Sequence, residues 1–140
     1  TGFVAPQRGR AADGSIIIVV ATNAPLDALR LRDLAKRSSL GLARVGATSH
    51  VSSGDLMIAL STTHTYPRAG GISGPPLETD DERIDALFTA TVDATEAAIY
   101  DAIFSARTVT GQFGITLYGL PFSRVAPLLH RGSVRDRASR

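Results

Sequence analysis

Ser15-Ile16-Ile17-Ile18-Val19-Val20-Ala21, entered through Asp13-Gly14, is the stretch that decides how this chain folds. It is rich in β-branched residues and has no polar alternation, the pattern of a central strand covered on both faces, with layers above and below. Beyond it, Pro25 opens a segment in which Leu26, Leu29, Ala35, Leu40, Leu42, Ala43 and Val45 recur at near-helical spacing, separated by charged residues such as Arg30, Asp33 and Lys36. Pro25 suits a first turn and Gly46 a C-terminal stop, which predicts a helix over about 26–45 that Gly41 is expected to weaken or bend. Asp55 to Ser61 reads as a second strand, again apolar on both faces. Strand, helix, strand is a βαβ unit, whose two strands lie parallel and begin on the same edge.

The rest of the chain extends an α/β pattern. Thr62 to Pro76, with Gly70, Gly71 and Gly74, reads as a long surface loop. Thr79 is the expected N-cap of a long helix running to about Ala106, with Asp80, Asp81 and Glu82 in the first turn, where the helix dipole favours negative charge. Between Thr108 and Gly119 the alternation of Phe113, Ile115 and Leu117 suggests a short strand, although glycines interrupt it. Pro121 to His130 reads as a final helix, followed by a basic tail from Arg131. Residues 1–14 carry no apolar periodicity and read as a tail or linker.

Composition narrows the classes. The 140 residues include no cysteine, so neither a disulfide framework nor a cysteine-ligated zinc site is available, and 44% hydrophobic residues are enough for a core. The longest apolar run, Ile16 to Ala21, is far short of the roughly 20 residues of a membrane span, so no membrane role is expected. Net charge is +4 over 1–50, −6 over 51–110 and +4 over 111–140, with no continuous basic stripe. Aromatic residues are only 6% and are not interleaved with cations, which argues against nucleic-acid binding. Thr1-Gly2-Phe3 has neither an initiator methionine nor a signal pattern, so the start is expected to be internal to a longer product. A cytoplasmic location is the expectation, with the periplasm as the alternative.

Chemistry concentrates at two turn-like clusters. Gly14-Ser15 is either a plain strand-entry turn or a self-cleaving bond, in which the Ser15 hydroxyl attacks the preceding carbonyl. Cleavage would free the Ser15 α-amine, whose ordinary pKa of about 7.7–8.0 suits a base acting on its own hydroxyl. Ser52-Ser53-Gly54-Asp55 precedes the second strand, so parallel pairing places it about 5 Å laterally from Ser15, on the same sheet edge. A hydroxyl and a carboxylate there can orient or pass protons. Open α/β sheets usually bind ligands at the opposite, carboxyl edge, which weighs against this placement unless the nucleophile is a chain terminus. The three histidines, His50, His64 and His130, form no helical H-x-x-x-H pair, so no metal site is expected. His64 and Tyr66, in the long loop, are candidate substrate contacts.

Gly14 through Leu26, Leu40-Gly41-Leu42-Ala43-Arg44 and Ser53-Gly54-Asp55 together resemble the β-chain of the DmpA-type aminopeptidases, the L-aminopeptidase/D-Ala-esterase and β-peptidyl aminopeptidase enzymes. The resemblance is closest from Ser15 to about Ser61. It implies an αββα sandwich similar to N-terminal-nucleophile hydrolases but differently connected, and autoproteolysis into α and β chains. Residues 1–14 would then be the end of the α segment and 15–140 the β-chain, completed by its own α chain and assembled into a homo-oligomer of αβ units. By resemblance Ser15 is the nucleophile, Ser53 the second catalytic serine and Asp55 the acidic position two residues later, where Asp or Glu is expected. Asn23 stands where many relatives have Asp. The implied reaction is release of an N-terminal residue from a short peptide, amide or ester through an acyl-enzyme, without metal or organic cofactor. The alternatives are an acyltransferase resembling the ornithine acetyltransferases, which use threonine as nucleophile, and a non-catalytic α/β module.

Overall fold

The structure, a computed structural model, describes residues 14–135. The expected tail therefore lies outside the described residues except for Gly14, as do the last five residues. Elements follow the order β1 (Ile17–Thr22), α1 (Ala28–Arg44), β2 (Leu56–Ser61), α2 (Asp81–Ser105), β3 (Val109–Thr110), a single 3-10 turn (Gln112–Gly114), β4 (Thr116–Leu117) and α3 (Phe122–Arg135). Contacts group the described residues into two units, 14–97 and 98–135.

In the first unit β1 and β2 pair in parallel with Ile17 opposite Leu56 and Thr22 opposite Ser61, the expected βαβ arrangement. The connecting helix α1 begins later than Pro25 suggests, because Asp27 is its cap. Its backbone is extended and its carboxylate accepts from the Arg30 N–H at 2.8 Å. The α2 cap is likewise Asp80 rather than Thr79: its carboxylate accepts from the Glu82 and Arg83 N–H groups at 3.0 and 3.3 Å. Helices α1 and α2 lie side by side and run the same way. Arg30 pairs with Asp81 near their starts, and Arg44 reaches Asp93 and Glu96 near the other end of α1.

The seam between these helices explains Gly41. A Cβ there would stand 2.5 Å from the Val92 carbonyl oxygen and 2.7 Å from the Thr95 Cβ. The glycine is therefore a contact residue that lets two backbones approach, not the weak point its helix propensity implies. Buried Ser38, Thr91 and Thr95 continue the seam, each hydroxyl donating back to a carbonyl of its own helix. Leu34 and Ile84, each 1% exposed, anchor the apolar core, and each such burial contributes about 1.5–3 kcal/mol.

Among the described residues, helical cover lies on one face of the sheet. Residues 18, 20 and 22 of β1 and 57, 59 and 61 of β2 are half-buried, whereas Ile17, Val19, Leu56, Ile58 and Leu60 on the other face are exposed. The expectation of cover on both faces is thus met on one side by the described residues.

In the second unit Phe104 packs edge-on against Phe122, with ring centroids 6.3 Å apart. The expected single strand over 108–119 is instead an antiparallel hairpin, Val109 opposite Leu117 and Thr110 opposite Thr116. Phe113 (φ 61°) and Gly114 (φ 74°) both take left-handed backbone and turn the chain back between its strands. The final helix continues past His130 to Arg135, so the first residues of the expected basic tail are helical. No helix among the described residues is long and apolar enough to cross a membrane.

Candidate active site at the leading edge of the parallel pair

Parallel register delivers Gly14-Ser15 and Ser53-Gly54-Asp55 to one place, because each immediately precedes a strand of the pair. The Leu56 N–H donates to the Ile16 carbonyl at 2.9 Å, which extends the ladder one step beyond the strands and locks the two lead-ins together. Three contacts then define the site. The Gly54 N–H donates to Ser15 Oγ at 3.0 Å. Ser53 Oγ lies 2.8 Å from the Gly14 carbonyl oxygen and 2.6 Å from Asp55 Oδ1, both acceptors. Ser53 has one hydroxyl proton, so it serves one of these two at a time.

Gly54 leaves room for the Ser15 hydroxyl. A Cβ on it would sit 3.3 Å from Ser15 Oγ, tight against the hydroxyl that the backbone N–H grips. Asp55 is held as a carboxylate below its ordinary value of 3.8, first by the Ser53 hydroxyl, then by the Ser49 hydroxyl, against a desolvation cost, and with help from the Ile16 N–H.

These groups open onto a cavity of about 530 Å³ whose other wall is the turn between α1 and β2, including Thr48, Ser49 and His50. Ser49 and His50 escaped the sequence reading. They lie outside the strand lead-ins, and the one signal for them is a polar run, Thr48-Ser49-His50, between the helix stop and the serine cluster.

Gly14, Ser15, Ser53 and Asp55 are thus brought together. His64 and Tyr66 are not: they follow β2 at its far end, about 20 Å away by the rise of a six-residue strand, and neither lines the cavity. Nε2 of His64 instead lies 2.9 Å from the Pro75 carbonyl oxygen, within its own loop, and Tyr66 is exposed. Asn23 also lies at that far end, where its carbonyl accepts from the Thr63 hydroxyl.

The parallel βαβ unit makes this an α/β protein. Solved relatives identify the fold as a variant of the N-terminal-nucleophile (Ntn) hydrolase fold. The L-aminopeptidase D-Ala-esterase/amidase of Ochrobactrum anthropi, described as a prototype of the serine aminopeptidases and a variant of the Ntn hydrolase fold, superposes with a TM-score of 0.72 at 29% identity, over 83% of this chain and 33% of its own. A β-aminopeptidase of Burkholderia sp. superposes with a TM-score of 0.69 at 34% identity, over 89% of this chain and 37% of its own. The sequence profile of peptidase family S58 matches residues 2–117, and the chain belongs to that family. The β-peptidyl aminopeptidase BapA of Sphingosinicella xenopeptidilytica is 37% identical over 133 residues, 91% of this chain. BapA of Sphingosinicella microcystinivorans is 36% identical over 120 residues, 85% of this chain. The chain spans about a third of the length of these curated relatives, 33% and 30% respectively.

Proposed function

We propose that this chain carries the nucleophile of a self-processing serine aminopeptidase, which releases the N-terminal residue of short peptides, amides or esters through an acyl-enzyme on Ser15. The observation that carries this reading is the grip on both partners of the first reaction: Ser15 Oγ accepts from the Gly54 N–H, while Ser53 Oγ sits 2.8 Å from the Gly14 carbonyl oxygen. In self-processing, Ser15 Oγ bonds to the Gly14 carbonyl carbon and the bond from that carbon to the Ser15 nitrogen breaks. The hydroxyl proton ends on that nitrogen. Water then cleaves the resulting ester, leaving a Gly14 carboxylate and a free Ser15 amine. A donor on the Gly14 carbonyl oxygen stabilises the charge that develops there, which is the role open to Ser53.

In turnover the freed amine takes the Ser15 hydroxyl proton as Oγ attacks the substrate carbonyl. The leaving amine or alcohol collects that proton, and water releases the acyl group. Serine at position 15 favours hydrolysis over the threonine-based acyl transfer of the ornithine acetyltransferases. Relatives named for β-peptidyl and L-aminopeptidase/D-Ala-esterase activity support a small N-terminal aminoacyl group as substrate.

The reading includes an α segment as partner. The exposed apolar face of Ile17, Val19, Leu56, Ile58 and Leu60, together with the threefold greater length of the relatives, supports a second sheet packed there as the other half of an αββα sandwich. Assembly of αβ units into an oligomer belongs to the same reading and is tested by light scattering of the purified protein.

The deciding experiment is intact mass with N-terminal sequencing of the full-length protein and its Ser15→Ala variant. A new chain beginning at Ser15, present in the wild type and absent from the variant, is expected, with turnover of aminoacyl amides lost alongside it. Normal two-chain processing of Ser15→Ala removes Ser15 from the mechanism.

A further inference from the structure

Each hydrolysis at this site changes the charge at a fixed place. The Gly14 carbonyl oxygen lies 2.8 Å from Ser53 Oγ, and Asp55 Oδ1 lies 2.6 Å from the same hydroxyl. Two oxygens held on one hydroxyl are no more than about 5.5 Å apart, within the range of about 4–6 Å over which charges act on one another's ionisation. While the acyl group is an amide or an ester its oxygen is neutral and can share the Ser53 proton with the Asp55 carboxylate. Water then cleaves the ester: its oxygen stays on the acyl carbon, one of its protons returns to Ser15 Oγ, and the other passes to the Ser15 amine. A carboxylate now stands where the neutral carbonyl stood, and two anions face one hydroxyl proton. Asp55 and His50 are the only titratable side chains lining the cavity among the described residues, and Nε2 of His50 lies 3.1 Å from the Thr48 hydroxyl oxygen. No Lys or Arg among the described residues lines it. The cation placed to offset the two carboxylates is the Ser15 ammonium, on the residue that carried the acyl group.

We propose that Asp55 sorts the occupants of this site by charge: the neutral carbonyl of an amide or ester is accepted on Ser53, and the carboxylate left by hydrolysis is driven out once the Ser15 amine loses its proton. The proposal rests on the reading of Gly14–Ser15 as the self-cleaving junction and of Ser15 as the nucleophile. It covers two carboxylates, the new Gly14 end of the α segment and the acid released in each turnover, because the same ester on Ser15 Oγ leaves both. Protonated, the amine pairs with the carboxylate and retains it; neutral, it leaves the carboxylate facing Asp55. The deprotonation that rearms Ser15 is thus also the step that empties the site.

The test is inhibition of the processed full-length enzyme by two N-acetylated peptides of the sequence Ala11-Ala12-Asp13-Gly14, one ending in a carboxylate and the other in a carboxamide, from pH 7 to pH 9.5. Asp55 is ionised throughout, since the Ser53 hydroxyl, first of all, holds it below its ordinary value of 3.8. At pH 9.5 the Ser15 amine, with an ordinary pKa of about 7.7–8.0, is neutral, and the carboxamide should inhibit about fivefold or more better than the carboxylate at low salt. That ratio should fall to within about twofold of one at pH 7, and at pH 9.5 it should shrink as salt is added. A carboxylate that inhibits as well as the carboxamide at pH 9.5, a ratio that does not move with pH, or no inhibition by either peptide at millimolar concentration overturns the proposal. So does a pH trend that His50→Gln abolishes, or a ratio at pH 9.5 that Asp55→Asn leaves unchanged in the fraction that processes. A processed, active enzyme that fails these tests loses the charge sorting alone, whereas a full-length protein that never processes defeats both it and the reading of Gly14–Ser15.

Discussion

Replacing Ser53 with alanine removes one oxygen and nothing else of consequence, yet it should nearly stop self-processing. The lost group lies 2.8 Å from the Gly14 carbonyl oxygen, at the proposed junction, and 2.6 Å from Asp55 Oδ1. Both distances are those of good O–H···O hydrogen bonds, the second in the charge-assisted range. Removing one donor to a developing oxyanion costs about 10²–10³ in rate, or ~2.7–4 kcal/mol of transition-state stabilisation. A process complete in minutes would then take many hours to days. The fold should barely notice, since Ser53 is half-buried at a sheet edge, outside the Leu34 and Ile84 core. Processing is read by intact mass over time in the full-length protein, with thermal unfolding of the unprocessed chain as control. Ser53→Thr, which keeps the hydroxyl, should stay within about tenfold of wild type, because only the fit of one added methyl is at stake. Processing of Ser53→Ala within about threefold of wild type would show that the Gly14 carbonyl needs no side-chain donor, and the reasoning from this geometry would fail.

Three further outcomes follow from other parts of the structure. Gly41→Ala should destabilise the protein by about 1–2 kcal/mol, since overpacking against a fixed backbone carbonyl 2.5 Å away exceeds the roughly 1 kcal/mol gained in helix propensity; an unchanged urea midpoint would refute the close seam. Gly54→Ala should slow processing about tenfold or more, because its Cβ would press on Ser15 Oγ from 3.3 Å; the same mass assay decides it, and an unaltered rate refutes it. In the processed enzyme kcat/KM should rise with pH through about 7.7–8.0 as the Ser15 amine loses its proton, with no limb from Asp55 above pH 5; a limb between pH 5 and 7 that Asp55→Asn abolishes would contradict this. The same lowered value means that any stability contributed by ionised Asp55 is fully present above its ordinary value of 3.8 and is lost only as pH falls through the lower folded value.

How much of this was legible in the sequence depended on whether the signal was local. The strand from Ile17 and its partner from Leu56 announce themselves as apolar runs, and the shared edge of Ser15 and Asp55 follows from parallel pairing alone. The first long helix was started about two residues early, at 26, and the cap of the second was placed one residue early, at Thr79, because Asp27 and Asp80 take the capping position and only backbone geometry shows it. Gly41 was misread because helix propensity is a property of one helix and the reason for the glycine lies on another, at Val92 and Thr95. The hairpin over 109–117 hid because its turn needs left-handed backbone at Phe113, a residue type that gives no warning of it. Ser49, left-handed at φ 46°, was invisible for the same reason. The outer face of β1 and β2 was read as a covered face, whereas among the described residues it is exposed, because an apolar pattern does not say what would cover it.

That double-sided apolarity bears on how the site is built. In a strand with one polar face, a slip of one residue exposes the wrong side chains, so burial sets the register. Here Ile17, Ile18, Val19 and Val20 are apolar on either face, and the same holds for Leu56 to Leu60, so a slip would carry little penalty from hydrophobic pattern alone. Register must be pinned by polar contacts at the strand ends. At the far end Ser61 Oγ donates to the Ala24 carbonyl at 2.6 Å and the Thr62 N–H to the Thr22 carbonyl at 2.9 Å. At the leading end the pins are the site itself: Gly54 on Ser15, Ser53 on Gly14, and the Ile16 N–H on Asp55. A one-residue slip would displace Ser15 from Gly54 by about 3.3 Å and break all of them together. The groups that grip the Gly14–Ser15 junction therefore also help to specify the strand pairing that brings them to it, and variants that loosen the site should be judged with register in view as well as chemistry.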